Sequence, residues 1–207
     1  MTAALSVVAA AFRHWWNGFL LLILFNIVWL LLQLPIVTGP PATAAMYCIA
    51  RRMVDGDLVE PRHGSQALRQ MAIPGLKWGA VNLLVVAAVT TNFWAYRDYF
   101  GTGWTILRIG WGTVGLGWFV VNLFYWPFWL SQKDRSMKTT FRNSALFVAR
   151  RPALGLSISL ISALLIVVGI LTTLPLASAL MSWVALIGVL TVDQELKRVE
   201  RAPVGAG

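Results

Sequence analysis

The chain has 207 residues, of which 58% are hydrophobic and only 12% charged, and its formal charge is +9. A soluble domain carries about 25% charged residues, and a soluble chain this short cannot hide so much apolar surface. The basic residues sit in short segments beside apolar stretches, so the charge points to anionic headgroups and not to nucleic acid. A lone Cys48 excludes an intrachain disulfide, and two separated histidines, His14 and His63, leave a Cys/His metal cluster out of reach.

In chain order, Ala3 to Phe12 is apolar but has no basic residue before it, so it reads as a retained helix lying in the interface and not as a signal peptide. Trp15 and Trp16 precede a first span at 19–37, at the headgroup level that aromatic rings favour. Pro35, Gly39, Pro40 and Pro41 break that helix. A short second helix follows at 41–54, rich in small residues (Ala42, Thr43, Ala44, Ala45) that allow close packing, and Arg51 and Arg52 end it. Residues Asp55 to Gln70 read as a polar loop with a short amphipathic stretch from Ser65 to Met71.

Pro74 and Gly75 open a third span at 76–96, Gly101 and Gly103 make a turn, and a fourth span covers 105–130. The fourth is about 39 Å long, more than the roughly 30 Å of a bilayer core, so it must tilt, kink or project. The basic stretch 131–151 follows, with helical spacing from Ser136 to Ala149 that puts Met137, Phe141, Ala145 and Val148 on one side, against the inner membrane surface. Pro152 to Val192 carries no charge, which suits spans at 152–172 and 174–192 joined by a turn at Thr172–Pro175, or a re-entrant hairpin.

With six spans and both termini inside, every basic residue except Arg97 and Arg108 falls on one face, fifteen of the 17. Lys and Arg are enriched in cytoplasmic loops. The expected architecture is therefore an all-α polytopic transmembrane bundle of about six helices, N-in and C-in.

Candidate site residues are few. The break at Thr38, Gly39, Pro40 and Pro41 can present a helix N-terminus, with free amides, to an anion, or can be a packed outer turn. Asn26, Asn82 and Asn122 lie within spans, where such groups line solute pathways or bond helix to helix. No Asp, Glu, Lys or Arg falls deep in the core, which speaks against proton coupling. Lys133, Arg135, Lys138, Arg142, Arg150 and Arg151 form a surface for anionic lipid headgroups or a protein partner. Segments 75–83 and 115–123 look alike, each with Trp and Asn at i, i+4; chance in a Trp- and Gly-rich chain is preferred over a repeat. The glycines at 110, 112, 115 and 117, and the row Gly155, Ser159, Ala163, read as packing faces. Ser/His/acid sets, HExxH, Walker loops and paired carboxylates are missing from the sequence, so an enzyme is not expected, and no cofactor or metal is called for.

At Asn26, Trp29 and the run Leu34-Pro35-Ile36-Val37-Thr38-Gly39-Pro40-Pro41-Ala42-Thr43-Ala44-Ala45-Met46-Tyr47, the chain resembles the YesL family of bacterial integral membrane proteins. The Thr-Gly-Pro spacing is one residue tighter than the family's, and a second proline follows. Lys138, Arg142-Asn143, Ala145 and Arg151-Pro152 are also similar to it. The resemblance implies a membrane bundle and an accessory role near carbohydrate uptake, as a transporter-associated subunit, a scaffold or a homo-oligomer; it brings no catalytic residues. The alternative is a small-solute transporter or channel lined by the helix break and the three asparagines.

Overall fold

The computed structural model describes residues 2–172 and 179–201. Among these residues every regular element is helical: α1 (Thr2–Asn17), α2 (Phe19–Gln33), α3 (Gly39–Asp55), α4 (Pro61–Ala95), α5 (Thr102–Ser131), α6 (Met137–Arg150), α7 (Pro152–Leu171) and α8 (Leu180–Arg201). Three of them, α4, α5 and α7, are long and apolar enough to cross a membrane, and a fourth crossing results if α1 and α2, bent by 95° to one another, count as one. The turn expected at Thr172–Pro175 lies, but for Thr172, outside the described residues, as does the start of the last predicted span.

The largest departure from the sequence expectation is α4. The predicted polar loop at 55–70 closes by Glu60, and a single 35-residue helix runs from Pro61 straight through Pro74. The start is well specified: Pro61 sits in the first turn, where it needs no N–H partner, and the Glu60 backbone N–H donates to His63 Nδ1 at 3.0 Å in a reciprocal capping box. Pro74 would ordinarily cost about 3 kcal/mol inside a helix. Here α3 packs tightly along this stretch and holds the helix through it. The first predicted span is shorter than expected, because α2 ends at Gln33 before Pro35.

The core forms around α3 and α8. Residues 44–50 of α3 are all buried, and from Leu180 to Asp193 every α8 residue except Trp183 is buried. Helices α1, α2, α6 and α7, the first half of α4 and the second half of α5 surround them. The rest of α4 and α5 is different. From residue 80 to residue 119 no residue is buried, and Leu83, Leu84, Ile106, Ile109 and Leu116 are all more than 60% exposed. Water would penalise such a surface, whereas hydrocarbon does not.

α6 forms where expected, but its buried stripe is rotated. Thr140, Ser144 and Phe147 are buried, Met137, Phe141 and Val148 flank them, and Ala145 is exposed. The two hydroxyls tolerate burial because each donates back one turn, Thr140 to the Ser136 carbonyl at 2.8 Å and Ser144 to the Thr140 carbonyl at 3.0 Å. Aromatic contacts fasten α6 along α5, with Phe124–Phe147 at 4.8 Å and Trp118–Phe141 at 5.0 Å. The tryptophan pair ahead of α2 also divides: Trp15 packs edge-on to Trp183, while Trp16 is 61% exposed.

Candidate functional site

The helix break is a hydrogen-bonded turn in which residues 34–37 are exposed and Gly39 and Pro41 are buried. Thr38 Oγ1 donates to the Leu32 carbonyl at 2.5 Å, and Gln33 Nε2 reaches the Gly39 carbonyl at 3.5 Å. Of the first α3 residues, Pro40 and Pro41 have no N–H, and the Gly39 N–H is bonded to the Ile36 carbonyl at 3.1 Å. The first turn therefore has no free amide to offer an anion, and the anion-binding reading of Thr38, Gly39, Pro40 and Pro41 fails on that chemistry. The prolines serve another contact. A Cβ on Gly75 would sit 2.6 Å from Pro41 Cα, and one on Gly79 would sit 2.5 Å from Pro40 Cγ. Gly75 and Gly79 form a G-x-x-x-G row that the sequence reading did not single out, although its spacing is visible there.

Asn26 is fully buried, and its Oδ1 accepts the backbone N–H groups of Met181, at 2.9 Å, and Ser182, at 3.3 Å. Both donors lie in the first turn of α8, where a helix leaves N–H groups without intrahelical acceptors. Asn26 is thus a cap supplied by another helix. Trp29, one turn on, donates Nε1–H to Thr43 Oγ1 at 3.0 Å and ties α2 to α3.

Asn82 and Asn122 belong to one reciprocal clasp. Trp78 Nε1–H donates to Asn122 Oδ1 at 2.8 Å, and Trp118 Nε1–H donates to Asn82 Oδ1 at 2.9 Å. Each amide also donates to the carbonyl four residues earlier on its own helix, Asn82 to Trp78 and Asn122 to Trp118, both at 2.9 Å. The two similar segments, which sequence reasoning put down to chance, face each other in an antiparallel pair. Each of the two Asn side-chain oxygens thus accepts an indole N–H from the opposite helix. Of the glycines on α5, only Gly115 meets its neighbour, with Val89 at 3.3 Å from an added Cβ; Gly110, Gly112 and Gly117 meet nothing.

The cationic residues divide as well. Arg151 binds Glu195 at 3.0 Å, and Arg198 approaches the same carboxylate at 3.7 Å. Arg51 and Lys197 hold Asp193 at 3.2 and 2.7 Å. These pairs bring the end of α3, the start of α7 and the last turns of α8 to one end of the molecule. Lys133, Arg135, Lys138, Arg142 and Arg150 are exposed near that end and make no ion pair among the described residues. The acidic partners Asp193 and Glu195 carry no signal in the sequence that marks them as partners of Arg51 and Arg151.

No group of three or more potential metal ligands occurs among the described residues. An apolar groove of about 330 Å³ lies between α2, α3 and α4 and is lined by residues such as Phe25, Val28, Ala45 and Leu68. No family model, curated protein or solved structure matches the chain.

Proposed function

We propose that this chain is an integral protein of the bacterial cytoplasmic membrane, with about six crossings and both termini inside, acting without enzymatic chemistry as an accessory or scaffold component beside a transport system. The resemblance to the YesL family at residues 34–47 suggests carbohydrate as the cargo of that system, and a transporter subunit or a second copy as the partner. The observation that carries the reading is the state of the intramembrane asparagines. Asn26, Asn82 and Asn122 each spend their side-chain oxygen on a helix-to-helix hydrogen bond, so the polar groups a solute pathway would need are engaged in holding the bundle together. The orientation draws support from the ion pairs that gather Arg51, Arg151, Asp193 and Glu195 at one end, beside the exposed cations of α6.

The test has two parts. Reporter fusions at Arg142 and in the 96–101 connection should report opposite compartments, Arg142 inside. Affinity capture from native membranes should return a transporter component in fixed ratio, while the purified chain in liposomes passes no solute. Solute flux through the chain alone would overturn the accessory role, and an exterior Arg142 would overturn the orientation.

A further inference from the structure

Where α5, α6 and α8 meet, a cleft of about 330 Å³ opens beside the cationic end. Its walls are apolar: Phe128, Leu146, Phe147, Leu196 and Val199. Leu146 is 42% exposed and Val199 64% exposed, so the described residues leave these walls open. Most polar groups in the cleft are already bonded. Gln132 accepts from Asn143 at 3.1 Å and donates to Thr140, and Arg151 is held by Glu195. Arg150 lines the same cleft, is exposed, and makes no ion pair among the described residues. Arg142 lies two turns before it on the same face of α6, with Leu146 between them. Arg151 and Arg198 already share Glu195, the one carboxylate lining the cleft, which leaves the charge of Arg150 uncompensated there.

An apolar trough with an unmatched guanidinium at its mouth is complementary to an amphiphile with an anionic head. Guanidinium binds phosphate through paired N–H donors, which a compact ammonium cannot reproduce. We propose that this cleft holds one anionic phospholipid of the inner leaflet, with its phosphate on Arg150 and an acyl chain along Leu146 and Phe128. The proposal rests on the membrane reading above and makes it specific: the cationic end selects a lipid at one site and does not merely attract a charged surface.

The full chain, purified in mild detergent, would be titrated with phosphatidylglycerol or phosphatidylcholine, and retained lipid counted by native mass spectrometry. One phosphatidylglycerol should be retained in preference to phosphatidylcholine. Arg150→Gln should weaken that retention about fivefold, the factor that follows from the roughly 1 kcal/mol one basic residue contributes at an anionic surface. Lys133→Gln, outside the cleft, should change nothing. Leu146→Gln, at a partly exposed position, carries the same expectation as Arg150→Gln should the latter fail to fold. Equal retention of both lipids, wild-type retention by Arg150→Gln, or competition by inorganic phosphate as strong as by the lipid would overturn the site. Alkaline extraction of membranes separates the two levels: a chain that stays in the membrane but ignores the lipid headgroup sinks this proposal alone, and a chain released as soluble protein sinks the membrane reading with it.

Discussion

Asn26 Oδ1 accepts the backbone N–H of Met181 at 2.9 Å, so a side chain of α2 caps a helix that begins more than 150 residues later. The first prediction comes from this pairing. Asn26→Leu leaves the Met181 and Ser182 N–H groups without that acceptor in a fully buried site. Stranding buried donors costs about 1–3 kcal/mol. The thermal midpoint of the purified variant should drop accordingly, and a wild-type midpoint would show that α8 does not depend on the cap.

The reciprocal clasp predicts pairwise coupling. Trp78→Phe and Asn122→Leu each break one indole-to-amide bond, and the double variant breaks nothing further in that bond. A double-mutant cycle should therefore give a coupling energy of about 0.6–1.7 kcal/mol, the range for hydrogen bonds between membrane helices. Trp118→Phe with Asn82→Leu should behave alike. Strict additivity in both cycles would mean that the clasp contributes no net stability.

Two glycines should respond with opposite sign to the same change. Gly75→Ala forces a methyl group against the Pro41 backbone, which cannot move aside as a flexible side chain would. Overpacking of this kind costs about 1–3 kcal/mol. Gly112→Ala meets no atom within 4 Å, and alanine is the better helix former by about 1 kcal/mol. Gly75→Ala should lower the denaturation midpoint and Gly112→Ala should hold or raise it. The reverse order would refute the packing of α3 on α4.

Ile36 adopts φ +58° in the turn between α2 and α3, and it is 80% exposed. A β-branched residue in that left-handed region is strained, at a cost on the order of 1 kcal/mol. Glycine reaches the same conformation without a Cβ clash. Ile36→Gly should raise thermal stability by about that amount, since little packing is lost with an exposed side chain. A fall in stability would show that Ile36 makes contacts which outweigh its backbone strain.

Much of the helical organisation was readable from hydrophobic runs and their Pro/Gly punctuation, as where α2 stops short of Pro35 and Pro152 opens α7. α6, which ends just before Pro152, was legible for that reason, and so was the end of α3, expected at residue 54 and found at Asp55 beside Gly56. α4 was misread because Pro74 and the polar composition of 55–70 suggest a boundary, whereas the four-residue capping box at Glu60–His63 and the close approach of Pro41 to Gly75 decide otherwise. The second of these is a tertiary fact. The asparagines stand out in the sequence, but their role depends on which donors face them, and the Met181 and Trp118 partners of Asn26 and Asn82 come from other helices. The likeness of 75–83 to 115–123 was visible; that the two copies bind each other was not.

The uninterrupted course of α4 has a mechanical consequence. Its first half is packed and ends in the clamp where Gly75 and Gly79 meet the two prolines, while Trp94 stands about five turns past Gly75, the last buried residue of the helix. A rigid shaft held over one half acts as a lever, so a slight change of tilt at the clamp displaces the aromatic tip by a much larger distance.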